Sequence, residues 1–342
     1  MAFLTRNPSL QRAVVSVWRM VCYAFHDWTR EMTSARRFVT MTGLVLQGYA
    51  FWALFSRSLV WPLSWPSGPA LYVSVCVLYM LGYWITNVML TSEFVRKTQL
   101  ESDLMAAQQI QRTLQPDKIE QLSGYQLKSY YKPFRGVGGD YFDVIDLGGN
   151  RTLFALADVS GKGMPAALLA SNIQALVRSI AETEPDLPML ANRINRHLIR
   201  YTPQDRFATA VFLVLTLDSG ELVYVNAGHN PPLIGGSGST RFLEGTGLPL
   251  GLFASAEYQT RVTTMQAGDL LLVFTDGLPD SVSGESPDKR LRDALTGEPT
   301  SSLANLKQLV DPVLNEDDIT ILLVKRVQSD YGDTNMLKLS SG

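Results

Sequence analysis

The first part of the chain is dominated by two long apolar runs. Residues 38–56 and 69–90 contain no charged side chain. As helices, both are long enough to cross a bilayer core of about 30 Å. Neither shows the polar stripe that a helix on the surface of a soluble domain normally carries. The pattern therefore predicts two transmembrane helices within residues 38–91, and two buried core helices of a soluble domain are the alternative.

The charges around these runs predict an orientation. Arg36 and Arg37 precede the first run, Arg96 and Lys97 follow the second, and the loop between them contains only Arg57. Lysine and arginine accumulate on the cytoplasmic side of membrane helices. We therefore expect a multi-pass protein of the cell (inner) membrane, with both termini and the rest of the chain in the cytoplasm.

Residues 1–37 form a basic segment with an amphipathic helical pattern. Such a helix can lie on the inner leaflet of the membrane, and packing against the hairpin or a partner explains the same pattern. Residues 1–91 contain seven Lys or Arg and two Asp or Glu, whereas the remainder is acidic. An acidic domain lacks the basic face that nucleic acid requires, so no nucleic-acid partner is expected.

A third pattern, typical of one continuous helix, covers residues 92–116. The segment has good helix formers and ends at Pro116. Apolar residues recur in it at steps of three and four: Leu100, Leu104, Ala107, Ile110 and Leu114. The stripe fits a short coiled coil in a homodimer, or packing against the following domain. Either way, this linker helix connects the predicted membrane segment to the remainder.

From Gly124 the hydrophobic period changes to two, which is typical of strands. We predict strands at about 125–133, 141–147, 152–159, 207–217, 221–227, 231–235, 258–264, 269–275 and 318–327. Helices are predicted at about 165–183, 186–200, 288–296 and 300–314. Clustered strands and clustered helices indicate an α+β domain with antiparallel sheets over residues 117–328. Residues 329–342 form a polar tail that we expect to be disordered.

Acidic residues stand at the ends of several predicted strands, most of them beside glycine: Asp140, Asp158, Asp276, Asp317 and Asp318. Carboxylates that converge without cations repel one another, and their pKa values rise unless a cation neutralises them. Such hard oxygen ligands suit Mg²⁺ or Mn²⁺, and two such ions can hold a phosphoryl group between them. Each aspartate alone is also explained as a turn or cap residue. The four strand ends together, with Asp317 and Asp318 at the same one, favour a metal site.

Other chemistries have less support in the sequence. Ser160 has no neighbouring histidine or nucleophile-elbow motif. The segment containing Lys162, GKG, does not match the Walker phosphate-binding loop. His229 follows a strand at a tight turn, where a structural role is expected.

The motifs AAQQIQRTLQP, VGGDYFD, ADVSGKGMPAAL, NAGHNPPL, GDLLLVFTDGL and DDITILLV occur in this order within residues 104–327. As an ordered set they resemble the metal-dependent protein phosphatases of the protein phosphatase 2C superfamily. The resemblance is to the bacterial RsbU/SpoIIE type, which regulates sigma-factor partner switching. It implies an α-β-β-α sandwich of two antiparallel sheets flanked by helices.

The resemblance also implies an activity, the hydrolysis of phosphoserine or phosphothreonine on a protein such as an anti-sigma-factor antagonist. A metal-bound water would attack the phosphorus. Two Mn²⁺ or Mg²⁺ ions would be held by Asp140, Asp158, the Val159 backbone carbonyl, Asp276 and Asp317, with Asp317 preferred to Asp318. No residue is assigned as general acid.

In this branch the helix before the domain can switch the metal site, so residues 93–114 would regulate activity. The alternative function is a catalytically weak membrane sensor or scaffold that uses the same fold to bind a signalling partner.

Overall fold

The computed structural model describes residues 34–60, 68–116, 122–182, 186–236, 240–283 and 286–327. The predicted N-terminal amphipathic helix, the loop between the apolar runs and the C-terminal tail lie largely or wholly outside these residues. The chain divides into two compact units, and the boundary between them lies between Ser102 and Asp103 in the sequence.

The first unit contains helix α1, Ser34–Val60, and the first part of helix α2, Gly68–Leu114. The two helices approach closely at a pair of glycines, since a Cβ atom on Gly82 would lie 2.8 Å from the Gly43 carbonyl oxygen. Arg36 of α1 and Glu93 of α2 form an ion pair between the same two helices. In the described part of the chain, the segment Val73–Leu114 alone has both the length and the apolar character needed to cross a membrane.

The linker helix and the second apolar run belong to the same element. Helix α2 continues through Thr91 without interruption because no glycine or proline occurs between Tyr83 and Gln115. The linker helix predicted for residues 92–116 is therefore the C-terminal part of one 47-residue helix that ends at Leu114.

The second unit is built on two five-stranded sheets in which all pairings between strands are antiparallel. The first sheet has the order β1 (Tyr125–Lys132), β10 (Ile319–Arg326), β9 (Leu270–Phe274), β6 (Leu233–Gly235) and β7 (Thr240–Phe242). The second sheet has the order β2 (Asp140–Asp146), β3 (Arg151–Val159), β4 (Ala208–Thr216), β5 (Glu221–Ala227) and β8 (Arg261–Thr264).

Helices cover both outer faces of the sheets. On the second sheet lie α3, Met164–Ala181, and α4, Leu187–Tyr201; on the first lie α6, Pro287–Ala294, and α7, Pro299–Leu309. A short helix, α5, covers Gly277–Asp280. The predicted α-β-β-α sandwich is confirmed.

The sandwich explains why β3 is apolar along most of its length. Leu153, Ala155 and Ala157 contact the helices, whereas Phe154 and Leu156 face the other sheet. A strand buried on both faces reads as a continuous apolar run instead of an alternating one. Because β3 runs through the core and ends at its edge, Asp158 is placed at one end of the sandwich.

Most predicted strands agree with the structure within three residues. The three-residue strand β7 was not predicted, and the helix predicted to end at residue 314 ends at Leu309. Short elements such as β7 depend on their neighbours in the sheet more than on their own sequence. These differences lie away from the predicted site.

Candidate metal centre

Asp140 and Asp158 lie directly opposite each other at one end of the second sheet. Asp140 is the first residue of β2, Asp158 is the penultimate residue of β3, and the two are partners in the antiparallel pairing. Asp140 is 4% exposed. Asp140 is therefore buried beside its strand partner Asp158 and turned away from bulk solvent.

The Asp140 carboxylate is held by two hydroxyl groups from the facing sheet. Thr275 Oγ1 donates to Asp140 Oδ2 at 2.8 Å, and Thr320 Oγ1 donates to the same oxygen at 2.5 Å. Both bonds fall on Oδ2 and neither on Oδ1. The two threonines therefore orient the carboxylate.

Asp318 has a different structural role from the neighbouring Asp317. Its Oδ1 accepts a hydrogen bond from the Phe134 backbone at 2.7 Å, and its Oδ2 accepts one from the Gly139 backbone at 2.6 Å. Asp318 thereby clamps the segment that leads into Asp140. Asp317 is a third exposed at its side chain. These contacts favour Asp317 over Asp318 as a metal ligand.

The clamp also explains the glycines before Asp140. A Cβ atom on Gly138 would lie 2.7 Å from Asp318 Oδ2, and one on Gly139 would lie 3.1 Å from the Val159 carbonyl oxygen. These glycines make room for a carboxylate and a backbone carbonyl of this chain.

The carboxylates at this end of the sandwich repel one another. Burial, followed by the charges of Asp158 and Asp318, raises the pKa of Asp140 well above its usual range. Burial and the charges of Asp276, Asp317 and Asp318 raise the pKa of Asp158 to about 7. Burial and Asp317 likewise raise the pKa of Asp276. Such mutual repulsion is what a bound cation relieves.

The donor chemistry fits Mg²⁺ or Mn²⁺. Asp140, Asp158, Asp276 and Asp317 offer carboxylate oxygens and Val159 offers a carbonyl oxygen, all of the hard type that these ions prefer. Within the described residues, no group of three or more His, Cys, Asp or Glu side chains is placed so that it could hold a metal ion. Water and substrate oxygens commonly complete such sites.

The end of helix α2 contacts the segment before Asp140. Gln111 Nε2 donates to the Gly138 carbonyl at 2.7 Å, and the Gly138 backbone donates to Gln111 Oε1 at 3.1 Å. The Gln108 side chain occupies the space where a Cβ atom of Gly136 would lie. Gln174 of α3 donates to the Leu114 carbonyl. The helix is therefore bonded to the backbone two residues from Asp140.

Sequence reasoning missed several of these residues. Thr275 directly follows the apolar strand β9, and Thr320 is a polar residue within β10. The sequence shows these polar positions, but it does not show which carboxylate the two hydroxyls reach. Gln111 is one of several polar residues on an exposed helix, so its contact with Gly138 could not be predicted from the sequence. His229 has the expected structural role, since its backbone is bonded on both sides by the Asn226 side chain.

The fold and the position of the acids at one end of the two sheets define the class of protein. The phosphatase 2C domain of SiaA from Pseudomonas aeruginosa is 21% identical, with a TM-score of 0.58 over 67% of this chain and 98% of that chain. RsbX, solved in complex with magnesium, is 22% identical, with a TM-score of 0.50 over 60% of this chain and 98% of that chain. The second unit therefore has the protein phosphatase 2C fold.

Residues 148–327 match the family of Stage II sporulation protein E (SpoIIE), and the chain belongs to this family. Phosphoserine phosphatase RsbU from Bacillus subtilis is 27% identical over 67% of this chain and 71% of its own length. Phosphoserine phosphatase RsbP from the same organism is 27% identical over 63% of this chain and 53% of its own length. The domain is a Ser/Thr protein phosphatase domain.

Proposed function

We propose that this protein is a membrane-anchored phosphatase that uses two Mn²⁺ or Mg²⁺ ions to hydrolyse phosphoserine or phosphothreonine on a protein. The observation that carries the proposal is the pairing of Asp140 with Asp158 across β2 and β3. Asp276, which follows β9, and Asp317, which precedes β10, approach from the other sheet. Their electrostatic influence on Asp158 supports a shared site.

When bound, the ions would supply a water that loses its proton near neutral pH and would offset the charge of the phosphoryl group. The chain would contribute the ligands and their orientation. Asp140 is oriented by Thr275 and Thr320, and Asp158 is fixed at the end of a buried strand. Carboxylates held on strands in this way need little rearrangement on binding.

The proposed substrate is a phosphorylated protein, with an anti-sigma-factor antagonist as the specific candidate. Two relatives are named phosphoserine phosphatases, which supports phosphoserine as the residue that is dephosphorylated. The antagonist is proposed from the resemblance of the motifs to the RsbU/SpoIIE type.

The proposed location is the cell (inner) membrane, with the phosphatase domain in the cytoplasm. Large apolar side chains of the first unit are more than half exposed, among them Phe51, Trp52, Val73 and Trp84. A water-soluble protein rarely leaves such a surface uncovered, and a lipid bilayer would cover it. Retention of the protein in membranes washed with carbonate would support membrane integration. Protection of the phosphatase domain from protease in intact spheroplasts would support its cytoplasmic location.

We further propose that helix α2 regulates the metal site. The bonds between Gln111 and Gly138 connect the helix to the segment that carries Asp140. Leu100 and Ile110, on the apolar stripe of the same helix, are 69% and 62% exposed. Burial of these side chains in a homodimer would stabilise one position of the helix. Disulfide crosslinking of Leu100→Cys in membranes would report such a dimer.

The activity is tested on the full chain in nanodiscs with a phosphoserine protein. We expect turnover with Mn²⁺, loss of turnover with EDTA, and loss of turnover in Asp276→Asn. The matched control is Asp269→Asn, since Asp269 caps a surface turn by accepting a bond from Gln266. Equal, metal-independent rates in all samples would refute the metal mechanism, and phosphoprotein binding without turnover would support the scaffold alternative.

A further inference from the structure

Lys162 is a cation placed among the proposed metal ligands. Its Nζ lies 3.1 Å from Asp317 Oδ2, and it also donates to the Glu316 carbonyl. The same ammonium lowers the pKa of both Asp158 and Asp276, although burial and the neighbouring carboxylates outweigh it. Its charge therefore reaches ligands contributed by both sheets.

The backbone around Lys162 is unusual. Gly161 and Gly163, on either side, have φ angles of +95° and +74°, in the left-handed region that favours glycine. These angles place Lys162 on a tight turn between β3 and α3. The Lys162 side chain is 37% exposed, so it remains accessible from solvent.

The Lys162–Asp317 ion pair adds too little stability to the fold to explain why Lys162 is placed beside the acids. Partly exposed ion pairs contribute little to stability, since solvent screens them and the side chains lose freedom. The neighbouring cation, Arg206, shows the contrast. Its Nη1 donates to the Ser160 carbonyl at 2.8 Å and packs against Gly161, so it fixes the turn itself. Lys162 extends from that turn towards the acids.

We propose that Lys162 binds the phosphoryl group of the substrate and that Asp317 is its partner only until ions and substrate arrive. The proposal rests on the proposed function. Two divalent cations would offset the charges of the aspartates and weaken their attraction for the ammonium. The phosphoryl dianion then becomes the strongest anion within reach. Lysine is a common phosphate ligand because its ammonium acts as a compact charge.

The experiment measures binding of inorganic phosphate to the Mn²⁺-loaded full chain in nanodiscs by calorimetry, together with Mn²⁺ binding without phosphate. In Lys162→Met we expect phosphate to bind about tenfold more weakly while Mn²⁺ affinity is retained. In Lys162→Arg, which keeps the charge, phosphate affinity should stay within about threefold of the wild-type value. The KM for a phosphoserine peptide should rise in parallel in Lys162→Met.

Lys325→Met is the matched control, because Lys325 is also ion-paired, with Glu298, but lies outside the site. It should leave phosphate affinity unchanged. Wild-type phosphate affinity in Lys162→Met would overturn the proposal, as would no phosphate binding by the wild type. Parallel loss of Mn²⁺ binding would also overturn it, since Lys162 would then support the metal site. Lys162-dependent phosphate binding without any turnover would contradict only the proposed phosphatase function.

Discussion

Thr320 Oγ1 donates a 2.5 Å hydrogen bond to Asp140 Oδ2, although 180 residues separate the two along the chain. Thr275 Oγ1 donates to the same oxygen at 2.8 Å. Thr275 follows β9 and Thr320 lies in β10, two neighbouring strands of the first sheet, whereas Asp140 begins β2 of the second. The candidate metal centre is therefore also a point where the two sheets are bonded together.

Removing both hydroxyls should weaken metal binding without removing a ligand. Thr275→Val with Thr320→Val leaves the Asp140 carboxylate buried but not oriented, and we expect Mn²⁺ affinity to fall about tenfold. Each substitution should also cost roughly 1 kcal/mol of unfolding free energy, because a buried acceptor loses a donor. Calorimetric Mn²⁺ titration checks the first effect.

Thr264→Val is the control for this pair, since Thr264 is exposed on the edge strand β8. It should leave both quantities unchanged. If the double variant binds Mn²⁺ as tightly as the wild type, the orientation of Asp140 by the threonines is irrelevant to the metal.

Loss of a proposed ligand should have a larger effect than loss of its support. We expect Asp158→Asn to lower Mn²⁺-dependent turnover by roughly two orders of magnitude or more. Asp146→Asn is the matched control, because Asp146 lies at the other end of β2 and its Oδ1 accepts only a turn bond from Gly148. Comparable turnover in the two variants would remove Asp158 from the site.

The apolar periods predicted an α+β domain with antiparallel sheets, and the ordered motifs predicted the sandwich through their resemblance to the phosphatase 2C superfamily. The sequence also located the acids, since Asp158 and Asp276 each follow an apolar run. It could not show that Thr320 reaches Asp140, because such a contact depends on how two sheets are stacked. The glycines before Asp140 indicate that the backbone passes close to another group, and at Gly138 that group is the Asp318 carboxylate. Local sequence signals a close approach without naming the partner.

Gly138→Ala tests this assignment of the glycine. The added Cβ would lie 2.7 Å from Asp318 Oδ2 and would also overlap the Tyr131 hydroxyl, so the clamp must open. We expect a loss of about 1–3 kcal/mol in unfolding free energy and a marked loss of turnover. Gly245→Ala is the control, because nothing lies within 4 Å of its added Cβ. Wild-type stability and activity in Gly138→Ala would contradict the clamp.

Gln111→Ala tests the connection between helix α2 and the site. The substitution removes both bonds to Gly138 while keeping helix propensity high. We expect turnover at a fixed, subsaturating Mn²⁺ concentration to fall by about threefold to tenfold, because the segment that carries Asp140 loses support, with a small change in stability. Gln99→Ala, on an exposed part of the same helix, should have no effect. Identical turnover in the two variants would mean that the helix does not act through Gln111.

The buried imidazole of His229 should make stability depend on pH. Burial lowers the pKa of His229 to about 4, and the Phe274 backbone opposes this only in part. In the unfolded chain the pKa is near 6.5. Between these values the unfolded chain binds a proton that the folded chain does not, so this contribution to stability is complete above pH 6.5 and is lost as pH falls towards 4. The full loss is roughly 3 kcal/mol.

Comparison with His229→Gln isolates this effect. Asp158, with its pKa raised to about 7, acts in the opposite direction because the folded protein binds the extra proton. That contribution is common to both proteins and cancels in their difference. From pH 7.5 to pH 5.0 the stability advantage of the wild type over His229→Gln should shrink by about 2 kcal/mol. Pulse proteolysis of the phosphatase domain in urea measures it, and an advantage independent of pH would show that His229 has the same pKa in the folded and unfolded states.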